Sequence, residues 1–297
     1  MFSEVSDSVK VLITGERGFT GRKIFDHLIA SGYQCAGLNV DITDFQAVRS
    51  RVDQINPTHV LHLAAISNPS SDDARGMYLV NQIGTLHLLE SLKHSSCILE
   101  KVVLASSAAV YGSNAGVLTD ELTLPMPSNH YGVSKFAMEL LVSAYSDILP
   151  VQCVRPFNYT GVGQGDWFVV PKIVNAFVAK KKTLKLGNIE IEREFNDLRD
   201  VVEIYTQLLF STATIGTVNL CSGSISSIKN VISIVSDITG QKLSIELDKK
   251  FMRKGDLQVI SGNPELLSDA VNPLFSHTLE DTLEAMVLAA QARNAFN

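Results

Sequence analysis

The chain has 297 residues, 45% of them hydrophobic and 19% charged, which suits a large α/β unit with a second lobe and excludes disordered or fibrous material. A formal net charge of −6 and a pI of about 5.6 repel phosphate backbones, so no nucleic acid is expected as partner. Four cysteines without a CxxC pair argue against a disulfide framework or a zinc site. With no signal-like N-terminus, and with the uncharged run 102–119 broken by serines and glycine, the expectation is a cytoplasmic protein with no membrane span.

In chain order, residues 11–14 read as a buried strand, and Thr14-Gly15-Glu16-Arg17-Gly18-Phe19-Thr20-Gly21 leads from it into a helix over 22–30. Glycines there let the chain turn tightly and let backbone N–H groups approach a pyrophosphate, which a helix N-terminus also favours. The spacing is GxxGxxG rather than GxGxxG, so its weight comes from following a strand directly. A second strand over 34–38 is followed almost at once by Asp41-Ile42-Thr43-Asp44. No acid stands at that strand's end to meet a ribose 2′-hydroxyl, whereas Arg17 could contact a 2′-phosphate. NADP(H) is therefore favoured, with NAD(H) as the alternative.

Strands predicted at 60–65, 102–105, 151–155 and 218–221 alternate with helices at 45–54, 81–93 and 131–146. This alternation predicts an α/β fold, a doubly wound parallel sheet of Rossmann type, with ligands at the carboxyl ends of its strands. Residues 1–157 read as the dinucleotide-binding domain. Residues 158–297 read mainly as a smaller C-terminal substrate-binding lobe, with a return to the main sheet near 195–221. Lys180, Lys181 and Lys182 read as a solvated helix end rather than a binding patch.

Tyr131 and Lys135 stand four apart at the start of a helix and so share one face. A nearby ammonium favours phenolate, which would bring the tyrosine towards the neutral range where it can exchange a proton. The 102–105 strand ends in Ser106-Ser107-Ala108-Ala109-Val110-Tyr111-Gly112, placing hydroxyls where a cofactor should lie. Asn81 suits either a helix N-cap or a hold on an active-site water, and His62 reads as a strand residue, not a metal ligand.

In this order, the motifs resemble the extended short-chain dehydrogenase/reductase family of sugar-nucleotide epimerases, dehydratases and reductases. The likeness includes His62-Leu63-Ala64-Ala65, Asn81 and Arg155-Pro156-Phe157-Asn158. It implies that Ser107 bonds the substrate oxygen, that Tyr131 exchanges its proton, and that Lys135 binds the nicotinamide ribose and tunes Tyr131. Gly15, Arg17, Gly18, Phe19, Gly21, Leu63, Ala64 and Ala65 would contact the dinucleotide, and Asp41 and Ile42 would flank its adenine. Dehydratases of the family carry acids where this chain has Ala108 and Ala109, so dehydration is not expected.

The segments from Gly163 to Asp200, and again around Met252 and Arg253, most resemble the branch that reduces a GDP-linked 4-keto-6-deoxymannose to GDP-rhamnose. That likeness implies substrate contacts from Asn158, Val170, Lys172, Asn188, Arg193, Arg253 and Asp256, the last standing where glutamate is more usual. The implied function is reduction of a nucleotide-linked 4-keto sugar. A 4-epimerase that keeps its NAD, a talose-forming or dTDP-sugar reductase, and a cofactor-binding scaffold without catalysis are the alternatives. The family habit implies a homodimer through the helices at 81–93 and 131–146.

Overall fold

A computed structural model describes residues 9–67, 73–213, 216–251 and 257–295. The apolar runs pair there as parallel strands: β1 (Lys10–Thr14), β2 (Gln34–Gly37), β3 (His59–His62), β4 (Lys101–Ala105) and β5 (Val151–Pro156). With the strand Thr217–Leu220 they form one sheet in the order Thr217–Leu220, β5, β4, β3, β1, β2. Every pairing is parallel. The order reverses at β1, which has β2 on one side and β3 on the other, opening a crevice beyond the carboxyl ends of β1 and β3.

Both faces of the sheet are buried, which is why its strands are continuous apolar runs instead of alternating ones. Val11 and Ile13 of β1, with Val103 of β4, point into a core shared with the helices Phe19–Ala30 and Leu198–Phe210. Leu12, Val102 and Leu104 point the other way, into a core shared with the helices Phe45–Ile55, Thr85–Lys93 and His130–Ser143. A separate core joins Ile173, Phe177, Leu184, Val231 and Leu283, from the helices Val169–Val178, Ile228–Thr239 and Leu279–Ala295 and one short strand. Among the described residues, no helix is long and apolar enough to cross a membrane.

A line of buried hydrogen bonds ties the ends of these elements together. Ala64 N–H donates to Thr14 Oγ1 at 3.1 Å, Thr14 meets His62 Nδ1 at 2.6 Å, and His62 Nε2 meets Thr85 Oγ1 at 2.8 Å. Thr85 commits its own proton to the Asn81 carbonyl at 2.8 Å, so its oxygen accepts from His62 Nε2–H. His62 Nδ1 then carries no proton and accepts from Thr14. Asn81 lies on a π-helical turn, Leu79–Gly84, of the kind that often marks functional sites. Its side chain accepts from Ile66 N–H at 2.8 Å and donates to the Ile66 carbonyl at 3.1 Å and to Ser134 Oγ at 3.0 Å. Ser134 in turn donates to the Tyr131 carbonyl at 2.8 Å.

Burial, aided by the charge of Lys135, pushes the His62 imidazole down to about 3 from its usual value near 6.5. The unfolded chain therefore binds one more proton between those two values, and the stability this group supplies is present above pH 6.5 and lost as pH falls towards 3. The loss is about 1.4 kcal/mol per pH unit once well below the upper value. Denaturant unfolding of wild type and His62→Gln at several pH values between about 6 and 4.5 should show that extra slope in wild type only. Parallel curves would mean that His62 is not held neutral.

Candidate active site

The crevice at the switch point is shaped by contacts that admit only glycine. Gly15 has φ +71, and a Cβ there would lie 2.8 Å from the Ala64 nitrogen. A Cβ on Gly21 would lie 2.1 Å from the Gly15 carbonyl oxygen. The loop therefore packs against both the end of β3 and the start of the helix Phe19–Ala30, leaving that helix's N-terminus facing the crevice. Beside it lies a cavity of about 360 Å³ bordered by Gly15, Arg17, Asn39, Asp41, Ile42 and Ala64. A bare-backbone cradle at a helix N-terminus, opening into a cavity of this size, fits the diphosphate and adenosine of a nicotinamide dinucleotide.

Arg17 is exposed and donates to Asn39 Oδ1 at 2.9 Å, with Glu16 3.7 Å away. Asn39 follows β2 with φ +54 and carries no charge. Asp41 accepts from Thr43 N–H at 2.9 Å and Thr43 Oγ1 at 2.8 Å, and these bonds hold its carboxyl below the usual range. Ile42 is buried under the cavity floor, and Leu63, Ala64 and Ala65 are half-buried after β3. Gly18 closes the turn, its N–H bonded to the Gly15 carbonyl at 2.9 Å, and the Phe19 ring stacks on Tyr159 with centroids 6.0 Å apart.

Ser107, Tyr131 and Lys135 come together at the carboxyl end of β4. Asn129 caps the helix His130–Ser143, and Ser107 caps the short turn Ala108–Val110 by accepting from Ala109 N–H at 3.1 Å. A Cβ on Gly132 would stand 2.5 Å from the Ala109 carbonyl, so this glycine lets the helix close on the turn. Tyr131 thereby comes beside Ser107. One turn further on, Lys135 is buried and donates from Nζ to the Ala105 carbonyl at 2.6 Å.

Burial pushes the Tyr131 phenol up to about 12 against the opposing pull of the Ser107 hydrogen bond. Burial brings the Lys135 ammonium down to about 8, with Cys153 and Glu139 acting the other way. The sequence suggested that Lys135 would bring the tyrosine towards neutrality; here the Lys135 ammonium is turned to a main-chain oxygen, and burial dominates at the Tyr131 phenol. The Tyr131 phenol thus keeps its proton at neutral pH.

Beneath the triad sits a buried ion pair that sequence reasoning missed. Arg155 forks onto Glu139 at 2.9 and 2.7 Å and also reaches Tyr111 Oη at 3.0 Å. Ser106 donates to the same carboxylate at 2.5 Å, and Tyr111 donates to Asn219 Oδ1 at 2.7 Å. A sequence signal for Glu139 did exist: it lies four residues after Lys135, as the one acid in that helix.

The residues expected to touch substrate are less concentrated. Asn158 is exposed just beyond β5, and Val170 is buried at the start of the helix Val169–Val178. On that helix, Lys172 donates to the Lys185 carbonyl at 2.9 Å and lies over the Phe251 ring at 3.8 Å. Asn188 is exposed and accepts from Glu190 N–H at 3.0 Å. Arg193 is buried, and its guanidinium donates to the carbonyls of Glu192, Leu257 and Gln258 at 2.7, 2.8 and 3.3 Å. Its neighbour Glu194 accepts from the N–H groups of Ser222 and Gly262 at 2.8 and 2.7 Å. Arg253 and Asp256 lie outside the described residues.

Among known proteins, the family described as GDP-mannose 4,6 dehydratase matches residues 38–286. A relative named GDP-6-deoxy-D-talose 4-dehydrogenase, from Aggregatibacter actinomycetemcomitans, is 33% identical over 275 residues, spanning 91% of this chain and 94% of its own. The GDP-6-deoxy-D-mannose reductase of Pseudomonas aeruginosa is 29% identical over 300 residues, spanning 96% and 98%. The solved structure of RMD from Pseudomonas aeruginosa complexed with NADPH superposes with a TM-score of 0.86 at 28% identity, over 96% of this chain and all of that one (100%).

Tyr131→Phe deletes the hydroxyl and keeps the ring. The variant should fold as wild type by circular dichroism, while turnover falls by roughly 10²–10⁴. Near-normal turnover would remove Tyr131 from the chemistry.

Proposed function

The chain belongs to the GDP-mannose 4,6 dehydratase-like branch of the extended short-chain dehydrogenase/reductases, enzymes of nucleotide-sugar oxidoreduction and epimerisation, and from that premise we propose that it reduces the C4 ketone of GDP-4-keto-6-deoxymannose to GDP-rhamnose. The observation that carries the reading is the triad itself. Ser107 and Tyr131 are neighbours at the carboxyl end of β4, so a ketone oxygen placed between them would meet two hydroxyl donors, while Lys135 anchors the same helix face. The two relatives' names support this substrate. Talose and mannose differ only at C4, so a single 4-keto sugar lies behind both 6-deoxy products. When bound, the reduced nicotinamide supplies the hydride. Tyr131 gives the developing alkoxide its proton, and Ser107 orients the oxygen.

Dehydration would need an acid beside the substrate to help expel water. The residues after Ser107 are Ala108 and Ala109, and Glu139 beneath them is taken up by Arg155 and Ser106. A second reading, hydride delivered to the opposite face to give 6-deoxytalose, is favoured by the 33% identity to the talose dehydrogenase.

For the cofactor we infer NADP(H), because Arg17 is exposed at the cavity beside an uncharged Asn39. A homodimer through the helices Thr85–Lys93 and His130–Ser143 is part of the same reading. The exposed Ile83, Val133 and Leu140 on that side are the apolar contacts it would cover.

Incubation with GDP-4-keto-6-deoxymannose and NADPH, followed by NMR of the product, should show the C4 configuration of rhamnose. The talose configuration would establish the second reading, and an unchanged ketone would overturn both. In the same assay Arg17→Ala should lower the NADPH/NADH ratio of kcat/KM by about tenfold, the value of one charge-assisted contact. An unchanged ratio would mean that Arg17 is not the selector.

A further inference from the structure

The sequence presents Lys180, Lys181 and Lys182 as an isolated solvated helix end, but the fold gives them company. Residues 172–185 contain five lysines and no acid, and residues 241–251 contain three lysines with Glu246 and Asp248. These two segments are neighbours, because the strand Thr183–Leu186 pairs in parallel with Ser244–Leu247, Thr183 opposite Ser244. Together they hold eight lysines against two acids, a surplus of six positive charges. The whole chain has a formal charge of −6, so the remainder carries −12.

The layout of this surplus is directional. Lys182 offers its carbonyl to Ser244 N–H at 2.9 Å, so the three-lysine run and Lys242 share the end where the strand pair begins. The other end leads through Leu186 to Asn188 and through Leu247 to Lys249, Lys250 and Phe251. Phe251 lies against Lys172, 3.8 Å from Nζ to the ring centre, and Lys172 also bonds the Lys185 carbonyl. All these lysines except Lys172 are exposed. Among the described residues, the ion pair within the patch is Lys185 with Glu246 at 3.9 Å, and no ion pair reaches Lys181, Lys182 or Lys242. A strand of four residues spans about 10–13 Å. Lys182 therefore stands about 10 Å from the Lys185 carbonyl that Lys172 bonds and up to about 20 Å from Asn188, six residues further on.

We propose that this lysine field steers the diphosphate of the nucleotide sugar onto the substrate lobe, against the negative charge of the rest of the protein. The inference rests on the proposed function, since the dianion is that substrate's. Long-range attraction of this kind raises encounter rates and leaves the chemistry alone. It fades with salt, because screening shortens from about 30 Å at 0.01 M to about 8 Å at 0.15 M ionic strength.

The test is kcat/KM for GDP-4-keto-6-deoxymannose at saturating NADPH, measured from about 0.01 to about 0.5 M ionic strength. The double variant Lys181→Glu, Lys182→Glu should lose about tenfold in kcat/KM at low salt and come within about twofold of wild type at high salt, with kcat nearly unchanged. The control Lys23→Glu, Arg49→Glu makes the same change in net charge on the exposed surface of the nucleotide-binding domain, and should stay within about twofold throughout. Equal losses in both double variants, or a deficit that persists at high salt, would overturn steering by this patch. Wild-type turnover indifferent to salt, with the protein held on phosphatidylglycerol vesicles only while the lysines are present, would assign the patch to a membrane surface instead. No wild-type turnover at any salt would overturn the proposed reaction itself, and the steering inference with it.

Discussion

The hydrogen-bonded line from Thr14 through His62, Thr85 and Asn81 to Ser134 is the constraint on which the rest of the site depends. The glycine-shaped cradle at the end of one strand keeps a fixed distance from Tyr131 on a helix only through what joins them. Those two parts meet here through side chains that are each fully committed. Thr14 holds Ala64, which Gly15 touches; Asn81 holds Ile66 and, through Ser134, the main chain of Tyr131. Because His62 is neutral, the line runs with one direction of donation and carries no charge of its own.

The electrostatics of the triad follow from the same burial. Desolvation pushes Tyr131 and Lys135 in opposite senses, each towards its uncharged form. The Arg155–Glu139 pair below answers this by placing a carboxylate close enough to raise the Lys135 ammonium again. A buried pair of this kind is weak evidence for stability. Its bonds to Ser106 and Tyr111 make it a brace joining β4, β5 and the helix His130–Ser143.

Much of this was legible in the sequence, and the reasons are local. The doubly wound sheet announced itself because strands covered on both faces must be apolar throughout, as in residues 102–105. The short connection before Asp41 likewise leads straight into the helix Phe45–Ile55, which carries the chain to β3 beside β1. What stayed hidden depends on partners far away in sequence. Gly132 looks like a helix-weakening residue until the Ala109 carbonyl is seen against it. Arg193 is expected at the substrate from its own segment, and nothing in that segment signals that two of its carbonyl partners belong to residues 257 and 258. The lysine run gains its meaning only when the strand at 244–247 is laid beside it.

In the proposed reaction, hydride and proton go to the carbon and the oxygen of the same carbonyl. The most direct test uses NADPH deuterated at the transferable position of the nicotinamide, with GDP-4-keto-6-deoxymannose in ordinary water, and reads the product by NMR and mass spectrometry. The account predicts one deuterium at C4 of the sugar, none at C5, and one cofactor oxidised for each product formed. A product carrying no deuterium at C4, or formed without net cofactor oxidation, would contradict it.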